Sequence, residues 1–341
     1  MTSPKAAVRV AIAGASSLLG KELSAWLEES GFPASDIRLL DEEFVAGTLT
    51  EAGGEPAVIE TVNAESFERV RFAFFTGSPN FTGRHAEEAR RAGAVVIDLS
   101  GKLREEPSAR LWIPALDAIL SSPAVALAAG EPQSLFNVPS APSDAAISIS
   151  AALAPAGLER LVLMVLEPVS EHGPEAIEEL ESQVVKLLSF QPVPQVVFDT
   201  QVGFNVVSRY GPEAGIKLED ARARLVSESR RYTNGRAPLP AITVVQAPVF
   251  HSHTFSAYAE FRNVPDLQDV ASRLQQAGLK VTPATDEPPT NVNVVGESRP
   301  VLKQPERDPG IETGVWLWGA ADNLRVPAAT AVAIAERLLA S

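Results

Sequence analysis

Two glycines six residues apart, Gly14 and Gly20, follow directly on the apolar, β-branched run Val8 to Ala13. A glycine turn between a first strand and a first helix sets backbone N–H groups and a helix N-terminus against a pyrophosphate. The turn reads Gly14-Ala15-Ser16-Ser17-Leu18-Leu19-Gly20, so Gly14, Ser16, Ser17, Leu18, Leu19 and Gly20 are its candidate cofactor residues. Other reactive side-chain types are scarce. The chain has four histidines and no cysteine. Without cysteine there is no thiolate nucleophile, no disulfide and no thiolate metal site. His251 and His253 alone are too few ligands for a metal, and no metal-ligand spacing occurs. An imidazole such as His253 carries a proton either way near neutrality. Arg224 and Glu228 stand at i and i+4, where an ordinary surface ion pair is one reading.

Composition narrows the function class. The formal charge is −14 over 341 residues. That balance argues against a nucleic-acid partner, which rewards clustered Lys and Arg. No apolar run is long enough for a membrane span. The segment Met1 to Val8 is too short for a signal peptide, so a cytoplasmic protein is expected.

Elements must position these residues. Strands are expected at Val8 to Ala13, Ile37 to Leu40, Arg71 to Phe75 and Ala94 to Leu99. Helices are expected at Lys21 to Glu29 and Arg84 to Ala92, with a polar turn from Thr76 to Thr82 between strand and helix. Strand and helix alternating at this rhythm make a doubly wound α/β sheet of Rossmann type. Two prolines between Asn137 and Pro142 mark a crossing into a second, α+β domain. Its expected helices are Asp144 to Leu153 and Pro174 to Leu188. Its expected strands are Arg160 to Leu166, Ile242 to Val249 and Thr254 to Phe261, the last with period-two alternation. Pro283 to Pro305 reads as loop, and a last helix, Ala328 to Leu339, returns to the first domain. The expected division is 1–141 with 315–341, and 142–314.

From the first strand to the last helix these motifs resemble the aspartate-semialdehyde dehydrogenase family. Gly14 to Gly20 resembles its GATGxVG, with Ser17 at the middle glycine. Phe75-Thr76-Gly77-Ser78 resembles its cofactor loop SAGGS, and Asp322-Asn323-Leu324-Arg325 its DNLR. Ile97 to Arg104 resembles vIDnSsaFR, and Ile113 to Asp117 resembles vPEVN with Asp117 at the Asn. Pro142 to Ile147 aligns with PNCST, which puts Asp144 at the cysteine. Glu167 to Gly173 resembles QavSGaG, Lys217 to Tyr232 resembles tkEE.KM..ETRK, and the stretch through His253 resembles RVPVfrGHS.

The resemblance implies roles. Gly77 and Asn323 would join the cofactor site, Asn323 near the nicotinamide. Arg104 would grip an acyl phosphate. Asp144, His253 and Glu167 would stand at the nucleophile, the acid/base and the substrate-orienting positions. Arg224, Glu228 and Gln246 would line the substrate, Gln246 replacing an Arg that pairs with its carboxylate. A homodimer through the second domain and a small-molecule ligand are also implied. Where NADP-using members carry AS.RSAG, this chain reads Asp41-Glu42-Glu43-Phe44-Val45-Ala46-Gly47, with Glu42 at the Ser and Phe44 at the Arg. Carboxylates repel a 2′-phosphate and accept from a ribose hydroxyl, so NAD is favoured over NADP. A Rossmann scaffold that has lost its dinucleotide is the other possibility.

The departures fall on the chemistry. Asp144 attacking an acyl phosphate would give a mixed anhydride, prone to hydrolysis, in place of a thioester. Ser143 or Asp144 could instead simply cap its helix. Three readings stand: a cysteine-less homologue, not competent for reductive dephosphorylation of aspartyl phosphate, with a dinucleotide-binding or regulatory role; an oxidoreductase working through His253 without a covalent intermediate; and a hydrolase using Asp144 and His253.

Overall fold

The run Val8–Ala13, β1, lies at the centre of an all-parallel sheet because both of its faces are covered by helices. The computed structural model describes residues 7–52, 54–63, 65–119 and 134–340. These fall into two compact units, 7–114 with 134–139 and 327–340, and 115–119 with 140–326.

In the first unit, β1 is followed by helix α1 (Leu18–Glu29), β2 (Ala34–Asp41), a separate hairpin β3 (Leu49–Ala52) and β4 (Glu55–Val58), and the short β5 (Glu60–Thr61). Then come β6 (Phe72–Phe75), α2 (Pro79–Arg91), β7 (Val95–Asp98), β8 (Arg110–Leu111) and β9 (Leu135–Asn137). The sheet order is β5-β2-β1-β6-β7-β9-β8. One face buries Val10, Ile12, Phe72 and Phe74 under Leu23 and Leu27 of α1. The other buries Ala11, Ala73 and Phe75 under Phe81, Ala86 and Ala89 of α2. Covered on both faces, these strands read as continuous apolar runs. Helix α2 begins at Pro79, inside the stretch expected to be turn. Ser78 caps it by accepting from Phe81 N at 3.1 Å, and Pro79 suits the first helical position.

The second unit opens on α3 (Ala141–Leu153), all thirteen residues of which are buried. It continues through β10 (Leu158–Glu167), α4 (Pro174–Leu188), α5 (Leu218–Thr233), β11 (Ala241–Gln246), β12 (His253–Phe261) and α6 (Leu267–Gln276). The strands β13 (Lys280–Thr282), β14 (Val301–Lys303), β15 (Glu306–Arg307) and β16 (Gly314–Ala321) follow, and α7 (Arg325–Ala340) closes the chain. The mixed sheet runs β11-β10-β12-β16-β14-β13, with β15 also on β16.

Three expectations need correction. The stretch from 315 was placed with the first domain, yet β16 pairs antiparallel with β12 along its whole length. The return to the first unit comes instead at Pro327, from which Ala328, Ala331, Val332, Ile334 and Ala335 of α7 enter the first unit's core. The strand expected over 242–249 ends at Gln246, whose amide turns away to bind two carbonyls. The loop-rich 283–305 contains β14, held by pairing to β13 and β16 rather than by any local pattern.

Candidate active site

The glycine turn folds onto itself. Gly14 has φ +96, and a Cβ there would stand 2.1 Å from Gly77 N, so the two loops touch backbone to backbone. Ser17 is the N-cap of α1 and its hydroxyl points inward. The oxygen lies 2.8 Å from Gly14 O and 3.0 Å from Thr76 O, which share its proton, and it accepts from Gly20 N at 2.9 Å. Its proton and one lone pair are therefore engaged within the turn. The first two helical amides, Leu18 and Leu19, have no carbonyl one turn earlier to bind. They are the donors this helix end offers to an anion. Asp41 ends β2, accepting from Ser16 N and from Glu42 N, each at 2.8 Å. Glu42 pairs with Arg84. Helix-end amides and a carboxylate at the end of the second strand are the parts from which a dinucleotide site is built.

Arg104 lies on the 3₁₀ turn 102–105 of this same unit. Buried Asp98 fastens that turn, accepting from Ser100 N, Ser100 Oγ and Leu103 N at 2.8, 2.6 and 2.7 Å. Burial pushes the Asp98 carboxyl above its ordinary value, against those hydrogen bonds and the Arg104 charge.

The second unit holds a connected polar network at the C-terminal ends of β10 and β11 and the start of β12. Gln246 is fully buried and fully committed: its amide donates to Glu167 O and Ala247 O at 2.7 Å each, and its carbonyl accepts from Tyr210 Oη at 2.7 Å. Tyr210 stays protonated, because burial and the Glu167 and Glu171 carboxylates push it up. His172 Nε2 lies 3.0 Å from Glu167 Oε1 and 2.9 Å from Tyr210 Oη. Since the tyrosine proton goes to Gln246, the network assigns the Nε2 proton to His172, donated to Glu167. Burial alone would raise the Glu171 carboxyl, but Arg224, 2.8 Å away, pulls it down to about 2. Asn323 donates to Ser170 Oγ at 3.1 Å and to Glu171 Oε2 at 3.4 Å, and accepts from Ser252 N at 3.0 Å.

His253 stands in the middle of this charge. It is fully buried, and neither ring nitrogen has a hydrogen-bond partner among the described residues. The Ser252 hydroxyl beside it is also buried and unpartnered, on a residue held at φ +67. Each such group costs roughly 1–3 kcal/mol of unreturned desolvation, and a non-glycine residue at positive φ adds about 1 kcal/mol or more. An arrangement that expensive marks a site.

The same pattern of domains is found in known proteins. Residues 9–126 match the NAD binding domain of semialdehyde dehydrogenase, and residues 150–326 match its dimerisation domain. The chain belongs to the semialdehyde dehydrogenase family. It is similar to a USG-1 protein homolog of Azotobacter vinelandii, 28% identical over 98% of both chains. Aspartate-semialdehyde dehydrogenase 2 of Vibrio cholerae is 27% identical over 97% of both. The crystal structure of aspartate semialdehyde dehydrogenase II from Vibrio cholerae superposes with a TM-score of 0.86 at 25% identity, covering 98% of each chain. The motif resemblance and the two-domain α/β fold are thereby established.

Within this semialdehyde dehydrogenase fold the expected site residues can be located. Glu167, Arg224, Gln246, His253 and Asn323 come together in one network, and Glu228 is buried close enough to Arg224 to raise it further. The helix-surface pair expected between Arg224 and Glu228 is not how Arg224 is held, since it bonds Glu171 on the turn after β10. Asp144 is not a cap. Ser140 occupies the N-cap of α3, and buried Asp144 accepts from Ser148 Oγ at 3.1 Å. The motifs gave no sign of His172 and Glu171 as participants, nor of Tyr210, which lies outside any motif. One signal was available: Glu171 and His172 lie within the matched stretch Glu167 to Gly173.

The buried histidine makes a pH prediction. Burial lowers the His253 pKa below the ordinary 6.5 it regains on unfolding. The unfolded chain then binds the extra proton first, so this contribution to stability is complete above 6.5 and is lost as pH falls below it. The slope reaches at most about 1.4 kcal/mol per pH unit. Urea unfolding at pH 7.5, 6.5 and 5.5 should show that slope in wild type and a flatter one in His253→Gln. Parallel curves would refute the assignment.

Proposed function

We propose that this chain has left the phosphorylating, thioester-forming reaction and binds a nicotinamide dinucleotide, NAD in preference to NADP, as a homodimer. The observation that carries the reading is Gln246. The resemblance implies an Arg here that pairs with a substrate carboxylate, and the glutamine amide has both protons committed to main-chain carbonyls. The absence of any cysteine supports the same conclusion. Asp144 offers a carboxylate already bonded to Ser148, a poor replacement for a thiolate. The test is turnover of aspartate semialdehyde with phosphate and either dinucleotide, alongside direct titration of both dinucleotides. Turnover at an enzymatic rate would overturn the reading.

His253 supports a second reading, thiol-independent hydride transfer. A buried imidazole kept neutral, with neither nitrogen hydrogen-bonded among the described residues, suits an acid/base for a carbonyl or alcohol. Redox turnover of carbonyls without phosphate separates the two.

The cofactor preference rests on Glu42, paired to Arg84, and on Phe44, 86% exposed at the position of the family's Arg. Glu42→Ser/Phe44→Arg should tighten NADP binding about tenfold or more, worth about 1.4 kcal/mol, and leave NAD little changed. Unchanged NADP affinity would remove this basis for the preference. Dimerisation is supported by the outer face of the second sheet. There Val162, Tyr258 and Trp316 align across β10, β12 and β16, as do Met164, Ser256 and Trp318. Both tryptophans and both β10 residues are exposed, an apolar surface suited to a second copy.

A further inference from the structure

Ser252 is where the chain departs from the motif most usefully. It stands at the glycine of RVPVfrGHS, and the backbone keeps the glycine-like conformation, φ +67. A side chain has thus been placed where glycine would be free of strain. The hydroxyl so gained makes no hydrogen bond among the described residues. It adjoins an imidazole that makes none either, and the main-chain N–H of Ser252 fixes it to Asn323. Through Asn323 the pair is within one amide's reach of Glu171.

The charge around this pair has one sign in excess. Arg224 is surrounded by Glu171, Glu228 and Glu167, three carboxyls to one guanidinium. His172 is bound to Glu167 and adds no open donor toward an anion. The side chains of Arg224 and Glu171 remain 25% and 17% exposed, so the network reaches solvent on that side. A ligand carboxylate entering there meets three carboxyls and a glutamine with no proton to offer, against the single Arg224 Nε–H left without an acceptor among the described residues, while an ammonium meets Glu171. A hydroxyl or carbonyl oxygen is the kind of group to which a serine hydroxyl and the N–H of a neutral imidazole both donate.

We infer that Ser252 and His253 form the recognition point for a small amino alcohol or amino aldehyde that lacks a carboxylate. Ser252 is the specificity-determining residue, and its strained backbone is kept because the hydroxyl serves the ligand. The inference rests on the reading of a site released from phosphorylating chemistry.

The test uses the full chain and calorimetric titration with ethanolamine, 3-amino-1-propanol, L-aspartate and succinate. The amino alcohols should bind at least tenfold more tightly than either dicarboxylate. Ser252→Gly should unfold at a higher temperature than wild type yet bind the amino alcohols at least tenfold more weakly. Ser252→Ala, which keeps the strained backbone, should show the same weakening with a smaller thermal gain than Ser252→Gly. The inference is overturned if no amino alcohol binds, if the dicarboxylates bind as well, or if Ser252→Gly binds like wild type. Aspartate semialdehyde turnover, measured on the same preparations, reports separately on the parent reading: turnover with amine preference intact would overturn that reading alone.

Discussion

Asp144→Cys is expected to give an alkylatable thiol and no measurable reductive dephosphorylation of aspartyl phosphate. Restoring the nucleophile restores only one of the parts that the resemblance implies. The substrate's carboxylate would still face Gln246, whose amide protons go to Glu167 O and Ala247 O and whose oxygen is held by Tyr210. Removing one partner of a buried, charge-assisted pair costs about 2–5 kcal/mol, or upwards of about 30-fold in affinity. Adding Gln246→Arg alone would set a guanidinium against Tyr210 and the Glu167 carboxylate, which would capture it. Glu167→Gln is therefore needed as well. The triple variant should show measurable turnover, about 100-fold or more above the detection limit that Asp144→Cys does not clear in kcat/KM, with circular dichroism confirming the fold of each. Equal activity in the single and triple variants would mean that the carboxylate clamp is not what the chain has lost.

That ordering of effects shows what the sequence could reveal and what it could not. The first domain was legible because its signals are local. Val8–Ala13 is apolar throughout since both faces are covered, and Gly14 and Gly20 stand where a strand must turn into a helix. The motif positions were legible too, Glu167 and Gln246 as single letters out of place, His253 and Asn323 as letters retained. What they do was not, because their partners are set by the fold: Glu167 meets His172 five residues on, and Gln246 a residue distant in sequence. Tyr210 lies 36 positions from Gln246 and comes from a stretch with no periodic pattern, yet it supplies the proton that fixes the glutamine. Arg224 chose Glu171, 53 positions away, over its helical neighbour. The strained turn at Ser252 was likewise invisible, since serine carries no propensity for positive φ. The division at 315 fails because the partners of β16, not its residues, decide its sheet.

Gly14→Ala should destabilise the protein by about 3 kcal/mol or more and abolish dinucleotide binding. The added Cβ would sit 2.1 Å from Gly77 N, 2.3 Å from Gly77 Cα and 2.9 Å from Thr76 C, all backbone atoms with no rotamer to change. Those atoms cannot retreat cheaply. Thr76 N and Gly77 N both donate to Ala13 O, at 2.8 and 3.3 Å, and Thr76 Oγ1 donates to Gly14 O at 3.0 Å. Separating the loops would also release Ser17 from Thr76 O and loosen the cap that starts α1, itself worth about 1 kcal/mol. The helix end that offers Leu18 and Leu19 to a pyrophosphate would lose its fixed position. Gly31→Ala is the control, because Gly31 also has positive φ, +68, but a Cβ there meets nothing within 4 Å. It should cost only the conformational term, about 1 kcal/mol, and leave binding intact. Denaturant unfolding and NAD titration of both variants decide the matter. If Gly14→Ala is no worse than Gly31→Ala, the close contact between the two loops is not what holds the cofactor turn in place.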